Sequence, residues 1–230
     1  MTVIWRLFRR LVLALIAVHL AYLLYCRWFF PPITLTQLHS LLSGQGLRRD
    51  YVPLERINPQ ARLAVIAAED QKFATHKGFD WASIREAWAV NERKGRTVRG
   101  ASTITQQVAK NVFLWQGRSW LRKGLEGYFT LWLELLYSKR RILELYLNVI
   151  EMGKGIYGIE CAAQVFFGKS AAQLTEREAA MIAASLPNPK LYTVKPTSRW
   201  VQRRHVWVMR QMRQLRGQPE LEQLLESFDQ

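Results

Sequence analysis

Residues 11–30 read LVLALIAVHLAYLLYCRWFF, and this stretch divides the chain. It is apolar all round rather than striped, which disfavours a buried core helix, and it is close to the ~20 residues that a helix needs to cross a bilayer. His19 and Arg27 interrupt it, but Arg27 lies near the far end, where a long side chain can snorkel to the interface. Arg6, Arg9 and Arg10 precede the run, so the positive-inside rule makes residues 1–10 a cytoplasmic N-terminus, 11–30 a transmembrane helix, and everything after Pro31 exported. A cleaved signal peptide is the competing reading. It is disfavoured by length and because Trp28-Phe29-Phe30-Pro31-Pro32 stands where a small-residue cleavage site belongs.

Outside this span the chain is long enough for one well-packed domain, since the total is 230 residues. A composition of 49% hydrophobic and 22% charged residues excludes a disordered polyelectrolyte. The net charge of +15 and a pI near 10.3 call for an anionic partner: nucleic acid, acidic lipid or a phosphorylated substrate. Two cysteines, Cys26 and Cys161, make neither a disulfide framework nor a CxxC metal site. Pro31-Pro32 ends the span, and residues 31–51, with the Ser43-Gly44-Gln45-Gly46 turn, read as a stalk. Residues 52–230 then form a mainly helical domain. Leu63, Ile66 and Ala67 share a helical face; Asp80 opens a helix through Val90; Leu121 to Tyr137 form another; Ser138 caps a fourth, and Thr175 with Glu178 makes a capping box. Strand-like alternation is nearly absent, so the fold class is all-α.

Glu69 ends a helical segment with Val65 and Ile66 one turn back, so desolvation should raise its pKa towards that of a general acid or base. It opens the string EDQKFATHKGFD, 69–80, whose Asp70, Phe73 and His76 suit a cleft rim, although His76 alone reads better as a hydrogen-bonded structural histidine. Glu126 follows Arg122 by four residues and Lys123 by three, which puts both cations on its helical face. That triplet is either a surface salt bridge or a pyrophosphate clamp in which the carboxylate organises a divalent ion, Mg2+ or Mn2+, or stabilises an oxocarbenium. Between them, GASTITQQVAKN, 100–111, offers hydroxyls and amides: Ser102, Thr103, Gln106, Gln107, Lys110 and Asn111. It could line a sugar groove or be an ordinary helix with Ser102 or Thr103 as N-cap.

These blocks resemble those of the glycosyltransferase family 51 enzymes, specifically the monofunctional biosynthetic peptidoglycan glycosyltransferases, over about Val52 to Ser198. The residues that carry it are Glu69-Asp70-x-x-Phe73-x-x-His76-x-Gly78-Phe79-Asp80, Gly100 to Asn111, Arg122-Lys123-x-x-Glu126 with Ser138 to Asn148, and Gly155-x-Tyr157-Gly158-x-Glu160. Ala101 stands where the family usually has a second glycine, and Cys161 where alanine is common. The resemblance implies a lysozyme-like helical fold, lipid II and the growing glycan chain as partners, and β-1,4 strands as product. It makes Glu69 the base for the acceptor 4-hydroxyl, and has Glu126, Lys110, Arg122 and Lys123 support the donor pyrophosphate. It further implies residence in the inner membrane with a periplasmic domain, beside anionic lipids and proteins of cell division or cell-wall synthesis. Phe113-Leu114-Trp115 and Tyr128-Phe129 look exposed, as suits a substrate that never leaves the bilayer. No Ser-x-x-Lys or Lys-Thr-Gly of a penicillin-binding domain occurs.

Rival classes are a muramidase, which would need no phosphate clamp, and a membrane-tethered scaffold, which would need no Glu69. A nucleic-acid binder is set aside because the domain is expected outside the cytoplasm.

Overall fold

The protein is described by a computed structural model over residues 2–96, 100–117 and 119–228. Its contacts divide it into two units, residues 1–32 and 33–230. The first unit is α1 (Thr2–Trp28), of which Trp5–Trp28 is long and apolar enough to cross a membrane. At 1.5 Å per residue those 24 residues reach about 36 Å, more than the ~30 Å hydrocarbon layer. The helix begins earlier than the expected 11–30 and takes in most of the N-terminal ten residues. It stops before Pro31-Pro32, with Arg27 in its last turn.

The second unit begins with α2 (Leu35–Leu42), where Thr34 and Gln37 form a capping box and Gln37 and Ser40 are buried. Residues 33–51 are therefore more than a stalk: they pack within the same unit as the helices that follow. A short strand β1 (Arg48–Arg49) leads to a 3-10 turn, Leu54–Arg56, and α3 (Pro59–Glu69). Then come α4 (Trp81–Lys94), α5 (Ile104–Phe113), α6 (Trp120–Leu136), α7 (Lys139–Val149), strands β2 (Glu151–Gly153) and β3 (Ile156–Tyr157), α8 (Ile159–Phe167), α9 (Glu176–Ser185), α10 (Arg199–Leu215) and α11 (Pro219–Glu226).

The helices expected from sequence form, with Asp80, Thr103, Ser119, Ser138 and Thr175 each capping the helix that follows it. In each the side-chain oxygen accepts from an N–H that has no partner inside the helix. The core lies where α3 packs on α9 and α10, and where α5 packs on α6 and α7. Val65, Ile66, Val108, Leu145 and Ile182 are buried there.

Two buried polar side chains fix the entry to α3. Arg62, 2% exposed, donates from Nε to the Ile57 carbonyl at 3.0 Å and from a terminal nitrogen to that of Leu54 at 2.8 Å. Asn148 of α7 accepts from the Val52 N–H at 2.8 Å and donates to its carbonyl at 2.9 Å, taking the place of a neighbouring strand. The three strands form one sheet in the order β1-β3-β2, β1 parallel and β2 antiparallel to β3. At two or three residues each they are too short to leave an alternating pattern in the sequence.

Candidate active site

Glu69 is the last residue of α3, and Asp70 leaves the helix with extended φ. Beyond it, residues 70–80 are knitted to the start of α5. Both Asp70 oxygens lie 2.9 Å from His76 Nε2, and Oδ2 also accepts from the Ile104 N–H at 2.9 Å. His76 Nδ1 accepts from the Gly78 N–H at 3.1 Å, so the proton sits on Nε2 and is donated to Asp70. The Gly78 carbonyl in turn accepts from the Thr103 hydroxyl at 2.6 Å, and Thr103 and Gln106 close a capping box. Phe73 is fully buried, with the Lys139 ammonium 4.7 Å from its ring centre.

Several residues expected to touch substrate thus have other work. Phe73 is core and Gln106 is a cap. Asp70 and Thr103 line the cleft but have their oxygens engaged by the scaffold, and His76 holds the loop, as its structural reading had it. Asn111 likewise donates back to the Gln107 carbonyl at 2.8 Å.

The cleft has a volume of about 910 Å³. Glu69, Gln107, Gly100, Ala101 and Ser102 are among the residues that line it. Burial is the largest influence on the Glu69 carboxyl and pushes its pKa up; the hydrogen bond from Gln107 and the charges of Arg204 and Lys110 oppose it, and Asp70 adds to it. Gln107 Nε2 donates to Glu69 Oε2 at 2.7 Å. The result matches the expectation from its apolar neighbours: a carboxyl whose ionised form is destabilised, hence a stronger base than a free glutamate.

The contribution of α10 was not foreseen. Its Trp200, Arg204, Trp207 and Gln211 also line the cleft, with the Arg204 guanidinium 3.4 Å from the Trp207 ring centre. Burial lowers the pKa of Arg204, and Glu69 acts against that. The spacing 200, 204, 207, 211 is a helical face legible in the sequence, but nothing local says that it turns towards Glu69 rather than towards water.

Glu126 and its cations adjoin the cleft rather than line it. Glu126 is 3% exposed; Arg122 donates to Oε2 at 2.8 Å, and Lys123 bonds Oε1. The Lys123 ammonium also reaches the Ser102 hydroxyl at 3.4 Å, which links the cluster to the cleft. Lys110 joins the two carboxylates electrostatically: burial lowers its pKa, Arg122 and Lys123 add to that, and Glu126 and Glu69 counter it. A half-buried cation beside two others favours an anionic guest. Among the described residues no three His, Cys, Asp or Glu side chains gather as metal ligands, and both Glu126 oxygens are bonded to neighbouring cations.

Residues 36–213 match the transglycosylase family model. The chain is 52% identical over 189 residues to the biosynthetic peptidoglycan transglycosylase of Shewanella oneidensis, covering 82% of this chain and 77% of that one. It is 55% identical over 174 residues to the proteins of that name from Shigella boydii and Escherichia coli, covering 76% of this chain and 72% of each of those.

Proposed function

The chain belongs to the transglycosylase family, and we propose that it is a peptidoglycan glycosyltransferase that polymerises lipid II into β-1,4 glycan strands with release of undecaprenyl pyrophosphate. The observation that carries this reading is the Glu69 carboxyl, raised in pKa by burial, held by Gln107 and opening on a cleft large enough for several sugar rings. Glu69 takes the proton from the acceptor 4-hydroxyl as that oxygen bonds to the donor anomeric carbon, and the bond from that carbon to the pyrophosphate oxygen breaks. Direct displacement inverts the donor carbon. Arg122, Lys123 and Lys110 receive the charge that develops on the departing pyrophosphate, and Glu126 keeps those cations in place. Pyrophosphate leaves as an anion, so no second carboxyl is needed as an acid.

A lipid-borne substrate also accounts for surfaces that would otherwise be costly in water. Trp120 is 91% and Leu135 74% exposed on α6, with Leu121 and Leu131 between them. Of the aromatic runs expected to be exposed, Trp115 and Tyr128 are so, while Leu114 and Phe129 are buried. We place α1 in the inner membrane, N-terminus in the cytoplasm and the catalytic unit in the periplasm, because Arg6, Arg9 and Arg10 cluster at the N-terminal end of α1, ahead of the uncharged run that begins at Leu11. Lipid II, the growing strand, anionic lipids and other cell-wall synthesis proteins are the partners of such an arrangement; transpeptidase chemistry is not part of it.

The test is glycan polymerisation by the full chain on lipid II, beside incubation with finished glycan. Polymer from lipid II, lost in Glu69→Gln, is the expected result. Cleavage of finished glycan without polymerisation would assign the cleft to a lytic enzyme instead.

A further inference from the structure

Gln107 has two chemically different ends, and only one of them suits Glu69. Nε2 donates to the carboxylate at 2.7 Å, whereas Oε1 in its place would set two acceptors against each other. The other end of the amide meets the Tyr146 hydroxyl, 3.2 Å from Oε1. Tyr146 lies on α7, is 0% exposed, and has its hydroxyl aimed at the back of Gln107. We infer that Tyr146 is a positioning residue for the reaction: by donating to Gln107 Oε1 it holds the amide with Nε2 towards Glu69, and so keeps Glu69 in its ionised, proton-accepting form. The inference rests on the reading of Glu69 as the base.

The direction of donation follows from the chain of partners. Glu69 as a carboxylate only accepts, so Gln107 must donate to it, which leaves Oε1 to be satisfied by a donor. Tyr146 remains that donor throughout the working pH range, since burial first, then the charges of Glu69 and Asp70, push its pKa well above the usual phenol value. Without the phenol the amide is free to turn. A turned amide offers Oε1 to a protonated Glu69, which favours the neutral acid, and the base is then lost at a higher pH than before. The charged groups around Glu69 come from three other places: Lys110 of α5, Arg204 of α10 and Asp70 at the end of α3. None of them is altered by removing the Tyr146 hydroxyl, and the ring itself is retained in Tyr146→Phe.

The experiment is the pH dependence of kcat/KM for lipid II polymerisation in the full chain, for wild type, Tyr146→Phe, Gln107→Ala and the double variant, with Glu69→Gln as baseline and thermal melts as a check on folding. The acid limb of Tyr146→Phe should move up by roughly 0.5 to 1 pH unit, as expected when a hydrogen bond to the charged form is weakened, and its rate should return towards wild type on the alkaline side. In the Gln107→Ala background the same change should move the limb no further, because the two residues act through one path. An unmoved limb, or a loss equal at every pH, overturns the inference, as does a shift that adds fully to that of Gln107→Ala. Polymerisation by Glu69→Gln at the wild-type rate would instead remove the reading on which the inference rests, so the two failures are distinct.

Discussion

The two glutamates differ in what their charge costs. Glu69 has a raised pKa, so its neutral form fits the folded state better; that contribution is present below the ordinary glutamate value and is lost as pH rises through the folded one. Glu69→Gln at neutral pH should therefore leave the melting temperature equal to or above wild type while lowering polymerisation by about 10²–10⁴-fold, the usual reach of a general base. Glu126→Gln should behave oppositely on stability. It leaves Arg122 and Lys123 without their buried counter-charge, and we expect a lower melting temperature together with a strong loss of activity, read by calorimetry and by the same assay. The sequence disclosed both carboxylates, because Val65 and Ile66 stand one helical turn before Glu69, and Arg122 and Lys123 stand one turn before Glu126. It did not disclose that Asp70 is tied to the Ile104 N–H or that Phe73 is fully buried. Residues that stiffen a cleft and residues that grip its guest are drawn from the same polar and aromatic alphabet, and only their partners separate them.

At the scale of elements, the turn from α3 into α4 packs closely on α6 at Gly78. Gly78 sits at φ +85°, and a Cβ there would lie 2.7 Å from Thr130 Cγ2 and 2.9 Å from Glu134 Cγ. Gly78→Ala should cost about 1–3 kcal/mol through backbone strain and crowding, measured by urea denaturation. Asp80 caps α4 by accepting from the Ser83 N–H at 3.0 Å, with Lys72 alongside. Burial pushes the Asp80 carboxyl up, but the side chain and N–H of Ser83 together with Lys72 outweigh it and hold the pKa at about 2. Its contribution is thus present above the ordinary aspartate value and fades as pH falls towards about 2. Asp80→Ala should lower stability by about 1 kcal/mol at neutral pH, and by less in acid. Helix starts such as this one were legible because capping is local, one side chain answering an N–H two or three residues on. The part played by α10 was not, since α10 packs against α3 only in the folded chain, and Trp200 and Arg204 both lie more than a hundred residues beyond Glu69 in sequence.

For the molecule as a whole, the division into residues 1–32 and 33–230 predicts that the second unit folds by itself. A protein lacking residues 1–32 should keep its cooperative melt, yet polymerise lipid II in vesicles at least about tenfold more slowly, because a tether supplies effective concentration at the bilayer. In detergent the gap should narrow. Residues 31–51 read as a spacer because Gly44 and Gly46 and mixed polarity conceal α2 and β1, whose partners lie far along the chain. Val52 is clasped by Asn148, and Arg48 pairs beside Ile156, so the opening of the unit is completed by residues about a hundred positions downstream. Ribosomes deliver polypeptide in the reverse of that dependence. The portion made earliest cannot complete its pairing until Asn148 and Ile156 have been synthesised, and closing so wide a loop costs more chain entropy than forming any single helix.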